Sequence, residues 1–442
     1  MRAAVRRETP DDFAAYFDRL WPLMRSITGD GVRRTHDILS ELLPLERTEI
    51  PTGTPVLDWS VPQEWAVRQA YMIDPGGRRI LDVADSTLRL VNYSVPFRGR
   101  LSRRELDEHL HSLPDQPQAV PYVTSYYRPR WGFCLSERER RALPDGDYEV
   151  VVDTELFDGS LTLSEAVLPG EEKDEALIST YTCHPSLANN ELSGPLVAAF
   201  LYRRLAQLPR RRLTYRFHFG AETIGTIAYL ARMGDHLQDF LVAGYVVTCV
   251  GMPGKFTYKR SRRGDTQADR AATYVLGRVT DRPVEIRDFD PLGSEERHYC
   301  SPGFDLPVGS IMTVPYYAYP EYHTSLDDRD LVSFQAMVDA VDIYFETLTA
   351  LELNVTYRAT VTRGEPQFAK RGIEVPVAER WCMNWVINLS DGDHDLLSIA
   401  AKSGNDLDEL SRAAARCCEA GLLERVHRSR DLGKELNVSS RT

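Results

Sequence analysis

The fold of this chain is constrained most strongly by a regular alternation of strand-like and helix-like runs between residues 160 and 355. Segments 176–182, 213–219 and 242–251 are apolar and rich in β-branched and aromatic residues, as buried strands are. Helix-like runs follow the first two of them. Alternating strands and helices form a sheet with parallel strands, whose ligands collect beyond the carboxyl ends of those strands. We therefore predict an α/β fold with its functional residues at that edge.

Length and composition limit the class of protein. The 442 residues are too many for one ordinary domain, and 43% hydrophobic residues suffice for normal cores. A formal net charge of −12 argues against a general nucleic-acid binder, which would carry a basic face. No stretch approaches the roughly 20 apolar residues of a membrane span, and no signal peptide is recognisable. The seven cysteines form neither a disulfide framework nor CxxC pairs, so we expect reduced thiols in a cytoplasmic protein.

Changes of composition along the chain predict three domains. Residues 1–55 and 160–360 form the α/β domain. Residues 56–159 are rich in Pro, Tyr and Trp, with strand-like alternation at 88–95, and predict a small β-rich insertion. This insertion either shapes the mouth of a substrate site or serves as a packing or dimerisation module.

The segment 361–442 has the pattern of a winged helix-turn-helix, with two helix-like runs followed by a strand-like wing. Residues 362–442 contain 12 Lys and Arg against 13 Asp and Glu, so they lack the basic surface that phosphate contacts need. We expect packing or self-association from this domain, hence a homo-oligomer, and no nucleic-acid partner.

Three segments carry candidate metal ligands, and each comes after a strand-like run. His184 and Glu222 follow the first two runs closely, and His323 lies in a loop after a later one. Imidazole and carboxylate groups at strand ends are the ligands of a catalytic zinc ion, which needs about three protein ligands and one open position. A metallohydrolase is the first hypothesis.

These segments, with others, resemble the bacterial aminopeptidase-like family that combines a zinc-exopeptidase fold with a β-rich insertion and a C-terminal winged helix. More distantly, the chain is similar to the aminopeptidase and glutaminyl-cyclase group of zinc exopeptidases. The resemblance implies a mixed sheet flanked by helices and a zinc ion. The matching segments are 181–186, 189–194, 222–225, 261–266, 293–297 and 320–327.

The resemblance also assigns roles to residues. His184 and His323 match the first and last histidine ligands, and Glu222 matches a glutamate that is either ligand or general base. The larger pattern has two adjacent glutamates there, whereas this chain has Thr223 as the second residue. We take Glu295 as the candidate for the second, catalytic role.

One departure from the family pattern lies at Asn190, where relatives carry an aspartate ligand, and the acid appears one residue later as Glu191. Asparagine is a poor zinc ligand beside a carboxylate. Glu191 replaces the aspartate, or His184, Glu222 and His323 hold the metal alone, or the site has lost metal and activity. The usual aspartate is also missing from segment 248–251, which favours one zinc ion over two.

The remaining candidates concern the substrate and the surroundings of the ligands. Arg263 and Arg297 either bind a substrate carboxylate or belong to an ion-pair network. Tyr322 lines the pocket or an interface, and Asp327 and Asn190 support the ligands from behind. Acids near the motifs lead us to expect recognition of a free amine; they are Glu191, Glu295, Glu296 and Glu321.

We predict a zinc-dependent, aminopeptidase-like peptidase or amidohydrolase acting on a peptide or a small amide-bearing metabolite. The zinc ion would act as a Lewis acid, and a carboxylate (Glu222 or Glu295) would move the proton. The alternatives are a catalytically degraded binding protein, for which Asn190 is the motive, and a winged-helix regulator.

Overall fold

The computed structural model describes residues 5–374 and 376–426, and divides into two compact units, Met1–Phe345 and Glu346–Thr442. The first unit is built on an eight-stranded mixed sheet. Its strands, in chain order, are β1 (Glu46–Pro51), β10 (Ser160–Leu168), β11 (Glu175–Tyr181), β12 (Thr214–Gly220), β13 (Leu241–Val246), β14 (Phe256–Lys259), β15 (Val284–Arg287) and β16 (Val308–Met312). The eight strands between β1 and β10 lie in other, smaller sheets.

The spatial order of the large sheet is β1-β10-β12-β11-β13-β16-β14-β15. Its centre is parallel, because β11 pairs in parallel with β12 and β13, and β13 with β16. Antiparallel pairs flank this centre, β10 with β12 on one side and β14 with β16 on the other. The carboxyl ends of β11, β12, β13 and β16 therefore meet at one edge, and the predicted α/β class is confirmed.

Helices pack beside this sheet and begin where their sequences supply caps. In the first helix the Thr9 side chain accepts from the Asp12 N–H and the Asp12 carboxylate accepts from the Thr9 N–H, which satisfies two free donors of the first turn. A single π turn, Ala188–Leu192, precedes the fifth helix. The helices are α1 (Pro10–Leu20), α2 (Asp30–Leu39), α3 (Arg103–Leu106), α4 (Glu137–Ala142), α5 (Ser193–Ala206), α6 (Ile224–Phe240), α7 (Gln267–Leu276), α8 (Glu296–Tyr299) and α9 (Phe334–Leu353).

The segment predicted as a β-rich insertion forms three small sheets. The largest has the order β5-β4-β9-β6. The alternating run 88–95 was expected to form a strand, and this prediction is wrong. The run contains a 3-10 turn, Thr87–Arg89, followed by irregular backbone. Most of its apolar side chains are buried in the core, but its backbone does not form a regular strand. The strands are β2 (Pro55–Val56), β3 (Trp59–Ser60), β4 (Glu64–Ile73), β5 (Arg79–Ile80), β6 (Phe97–Ser102), β7 (Leu110–His111), β8 (Phe133–Cys134) and β9 (Asp147–Phe157).

The second unit contains the predicted winged helix. Two amphipathic helices, α11 (Leu396–Ser403) and α12 (Leu407–Glu419), follow α10 (Val377–Leu389). A three-stranded sheet in the order β18-β17-β19 completes it, formed by β17 (Thr356–Ala359), β18 (Asp391–Asp395) and β19 (Leu423–Arg425). The predicted winged-helix segment also includes residues 427–442, which lie outside the described residues.

All seven cysteines are free thiols in the structure. Among the described residues, no helix combines the length and the apolar character needed to cross a membrane.

Candidate metal and hydrolytic site

The carboxyl ends of the central strands bring three predicted residues to one place. His184 follows β11, Glu222 follows β12, and His323 lies in the loop after β16. Backbone strain concentrates here, because the non-glycine residues Ser186, Thr223, Cys249 and His323 have φ of 41°, 65°, 52° and 56°. Such left-handed conformations persist where the surrounding structure enforces them, which is common at functional sites.

The imidazole of His184 lies between two carboxylates. Its Nδ1 is 2.8 Å from Glu191 Oε2, and its Nε2 is 3.6 Å from Glu222 Oε2. Burial alone would lower the pKa of His184, but the adjacent Cys183 thiol and Glu191 carboxylate raise that pKa well above its ordinary value. The Nε of the buried Arg25 donates to the His184 carbonyl at 2.8 Å, which fixes the backbone of the motif.

This geometry separates the residues of the predicted ligand set, which are His184, Glu191, Glu222 and His323, into two groups. The two nitrogens of one imidazole point in different directions, so one ion cannot bind both Glu191, on the Nδ1 side, and Glu222, on the Nε2 side. The π turn Ala188–Leu192 buries Glu191 against Nδ1, where the sequence spacing alone could not place it.

On the Nδ1 side, the structure adds Cys183, which the sequence analysis did not consider. Cys183, His184 and Glu191 offer ligand atoms within 4.8 Å of one another, and all three are buried. Neither oxygen of Glu191 has an aligned hydrogen-bond donor among the described residues, although Oε2 is close to Nδ1. The ligand atoms of Cys183, His184 and Glu191 suit a cation chemically, but the burial of these residues leaves no open coordination position for a substrate.

On the Nε2 side, His184, Glu222 and His323 face a more open space. The rings of His184 and His323 are 5.4 Å apart, and Glu222 and His323 are only partly buried. The Oγ of Ser294 donates to Glu222 Oε1 at 3.3 Å, which leaves Oε2 facing His184. Two imidazoles and one carboxylate are a donor set that zinc takes in hydrolases, so the residue types on this side suit the ion. Among the described residues, however, the His, Cys, Asp and Glu side chains with ligand atoms within 4.8 Å of one another are those of Cys183, His184 and Glu191.

Asn190 and Asp327 act together behind His323. Asn190 Oδ1 lies 3.2 Å from His323 Nε2, and its Nδ2 donates to the Tyr181 hydroxyl at 3.1 Å. The carboxylate of Asp327 accepts from the backbone N–H groups of Asn189 and Asn190, at 2.6 and 3.0 Å. Asp327 therefore stabilises the π turn by accepting these two backbone hydrogen bonds, and it does not orient the imidazole of His323.

Glu295 does not join this site, contrary to the prediction of a catalytic role. It is fully buried, and its two oxygens accept from Thr226 Oγ1 at 2.6 Å and Ser179 Oγ at 2.9 Å. Ser179 also contacts the hydroxyl of Tyr299 at 2.9 Å. The carboxyl group is thus enclosed between β11, α6 and α8, without direct contact to His184 or His323.

The buried Glu295 predicts a pH dependence of stability. Burial raises its pKa from 4.5 to about 8, so the folded state holds a neutral acid where the unfolded chain would ionise. Its stabilising effect is complete below pH 4.5 and is lost as the pH rises through about 8. We expect Glu295→Gln, which stays neutral, to unfold roughly 2–4 °C above wild type at pH 8.5 and near it at pH 5. Scanning calorimetry at both pH values measures this, and an equal shift at both would contradict it.

The predicted substrate-binding residues lie in different parts of the structure. Arg297 lies beside the site and donates to Thr223 Oγ1 at 3.1 Å and to the Gly293 carbonyl at 2.9 Å. Arg263 lies at the opposite edge of the sheet, 3.8 Å from Asp305, because β14 runs antiparallel to β16 and carries the following loop away. This placement favours the ion-pair alternative for Arg263 over the binding of a substrate carboxylate. Tyr322 stacks on His323 with ring centroids 4.0 Å apart.

The insertion supplies a wall of the site through Tyr122, a residue that no sequence motif had singled out. Pro121 pairs with Thr324 in an antiparallel bridge, and the Tyr122 N–H donates to the His323 carbonyl at 2.8 Å. The Tyr122 ring lies 5.0 Å from His184 and 5.3 Å from His323. Of the two roles proposed for the insertion, these contacts favour shaping the substrate site.

Comparison with known proteins places the chain in a family. A family model described as a domain of unknown function, DUF4910, matches residues 14–354. The chain belongs to this family. A winged helix-turn-helix model matches residues 355–425, which confirms the predicted C-terminal domain.

One named protein and one crystal structure, both from Clostridium acetobutylicum, are similar to this DUF4910 protein. One is provisionally named a polysaccharide biosynthesis protein with an aminopeptidase-like domain; it is 39% identical over 95% of this chain and 97% of its own. The other is a crystal structure provisionally named a peptidase, also 39% identical, with a TM-score of 0.86 over 94% of this chain and 96% of that one. The resemblance to aminopeptidase-like proteins is confirmed.

A more distant structure shows the fold alone. A zinc aminopeptidase from Bacillus subtilis is 10% identical, with a TM-score of 0.58 over 79% of this chain and 96% of that one. The mixed sheet flanked by helices is therefore the aminopeptidase-like fold.

Proposed function

We propose that the protein is a metal-dependent hydrolase that cleaves an amide bond with His184, Glu222 and His323. The observation that supports this most is the placement of His184. Glu191 occupies its Nδ1 side, so its Nε2 faces Glu222 and the partly open space shared with His323. A histidine with one nitrogen enclosed by protein groups is left to bind a ligand through the other.

In this proposal the three residues hold one zinc ion on the Nε2 side. A zinc ion bound there would act as a Lewis acid on the scissile carbonyl and make water more acidic. Glu222 Oε1, next to the Ser294 hydroxyl, takes the proton of the attacking water and returns it to the leaving nitrogen.

The substrate is an amide of a peptide or of a small metabolite. The provisional name of the 39% identical relative links that protein to polysaccharide biosynthesis. We therefore include amides attached to sugars among the candidates, beside amino-acid amides. Localisation in the cytoplasm and self-association remain expectations.

The proposal is tested on the full chain purified without chelators. We expect about one equivalent of zinc by mass spectrometry, and hydrolysis of at least one member of a panel of amino-acid anilides, blocked peptides and N-acylated sugars. Treatment with a chelator should abolish hydrolysis, and zinc should restore it. A chain that neither contains nor takes up a transition metal, and cleaves none of the panel, would favour the degraded binding protein suggested by Asn190.

A further inference from the structure

Three of the four acids expected to bind a substrate amine are engaged within the protein; Glu321 is the fourth. Glu191 lies against His184, and Glu295 is enclosed behind β11. The carboxylate of Glu296 is fully buried and pairs with Lys259 Nζ at 2.8 Å. None of the three is placed to meet a free ammonium group in the cleft.

The arginines expected to bind a substrate carboxylate are engaged as well. Two guanidinium nitrogens of Arg297 donate hydrogen bonds to Thr223 Oγ1 and to the Gly293 carbonyl. Arg263 lies at the far edge of the sheet beside Asp305. The geometry around the site therefore favours recognition of an uncharged group over recognition of a chain terminus.

Aromatic rings lead from this site to the surface through the insertion. The Tyr122 ring lies 5.0 Å from His184, and its hydroxyl is 2.6 Å from that of Tyr126. Tyr126 contacts Tyr127 at 6.5 Å between ring centroids, and Tyr127 meets Trp59 edge to face at 5.3 Å. Tyr127 and Trp59 are 55% and 40% exposed, although both are large and apolar.

A second row of rings starts at His323. Tyr322 stacks on that histidine, Tyr317 follows at 4.8 Å, and Tyr317 is 73% exposed. Burial raises the pKa of Tyr126 and of Tyr322, and the charge of Glu222 adds to both effects. Both rows therefore begin close to the same carboxylate.

We propose that Trp59 and Tyr127 form a subsite for one ring of a neutral oligosaccharide, another ring of which presents its N-acyl group to Glu222. This inference rests on the proposed function and names its substrate class. The apolar C–H face of a pyranose packs on an aromatic face, and adjoining exposed aromatic side chains can mark a ligand-binding surface. Hydrolysis would break the acyl C–N bond; the acyl carbon gains the water oxygen and the nitrogen gains a proton, which yields a carboxylate and an amino sugar.

The test measures binding by calorimetry to the full-length Glu222→Gln protein, in which turnover is suppressed. The probe is the trisaccharide of N-acetylglucosamine. We expect Trp59→Ala and Tyr127→Ala, added to this background, each to weaken binding roughly five- to tenfold, the scale of one aromatic contact. Trp381→Ala, which removes a 57% exposed tryptophan of the second unit, is the matched control and should leave binding unchanged.

Two results would overturn the inference while leaving the hydrolase intact. One is saccharide binding that neither Trp59→Ala nor Tyr127→Ala weakens. The other is hydrolysis of amino-acid anilides, impaired by Glu321→Gln in the His323 loop, without any binding of the trisaccharide; this would show recognition of an amine. Failure of the proposed function is seen separately, as absence of metal and of hydrolysis across the panel.

Discussion

Glu222→Gln is expected to lower kcat/KM by roughly 10²–10⁴, the scale of a general base, in assays on whichever amide the wild type cleaves. The amide keeps the shape of the side chain and its contact with Ser294, but it cannot accept the proton of water. It also weakens one ligand of the proposed ion, so bound zinc should fall.

The matched control is Glu285→Gln, an acid of β15 that pairs with Lys255 and Arg287. It should leave both activity and metal content unchanged. Wild-type activity in Glu222→Gln would exclude the proposed role of this carboxylate, because no other candidate acid contacts the Nε2 side of His184.

His184→Ala and His323→Ala are each expected to leave less than about a tenth of the wild-type metal, because a three-ligand site rarely survives the loss of one ligand. His394→Ala, which removes a surface histidine paired with Asp391, controls for the loss of an imidazole. Metal content by mass spectrometry, with circular dichroism to verify folding, measures the effect.

Cys183→Ser distinguishes the two sides of His184. It should retain the metal if the ion lies on the Nε2 side. Loss of metal from Cys183→Ser together with full retention in His323→Ala would place the ion among Cys183, His184 and Glu191, and would contradict the proposed catalytic set.

The sequence predicted the framework of the site well, for a physical reason. Apolar runs identify the buried strands, and the residues directly after parallel strands must meet at one edge. The sequence therefore predicts that His184 and Glu222 lie close together, and in the structure His184 Nε2 is 3.6 Å from Glu222 Oε2. The loop of His323 was located by its family motif.

What the sequence missed depends on the direction of side chains and on long-range contacts. The π turn rotates Glu191 to the Nδ1 side of His184, which residue spacing does not reveal. Glu295 lies in a motif beside the site, yet its side chain points into the core between Ser179 and Thr226. The position of Arg263 depends on the direction of β14, which runs antiparallel to β16 and ends at the opposite edge of the sheet. Strand direction is a property of the topology that the local sequence does not reveal.

Tyr122 shows a further limit. Its contact with His323 joins residues about two hundred positions apart, through an irregular segment of the insertion that has no motif. The exposure of Trp59 and Tyr127 could not be predicted either, because the sequence shows where aromatic residues occur but not which of them remain exposed to solvent.

The backbone link between Tyr122 and the His323 loop also bears on how the protein matures. Residues from the two ends of a long chain segment must meet before His323 is fixed, and contacts of such sequence separation pay a large loop-closure cost during folding. Metal uptake during refolding should therefore lag behind the recovery of helical signal. In the proposed zinc site, an ion that binds only after this closure would stabilise the folded state alone, so removal of the ion with a chelator should make the chain more sensitive to proteolysis.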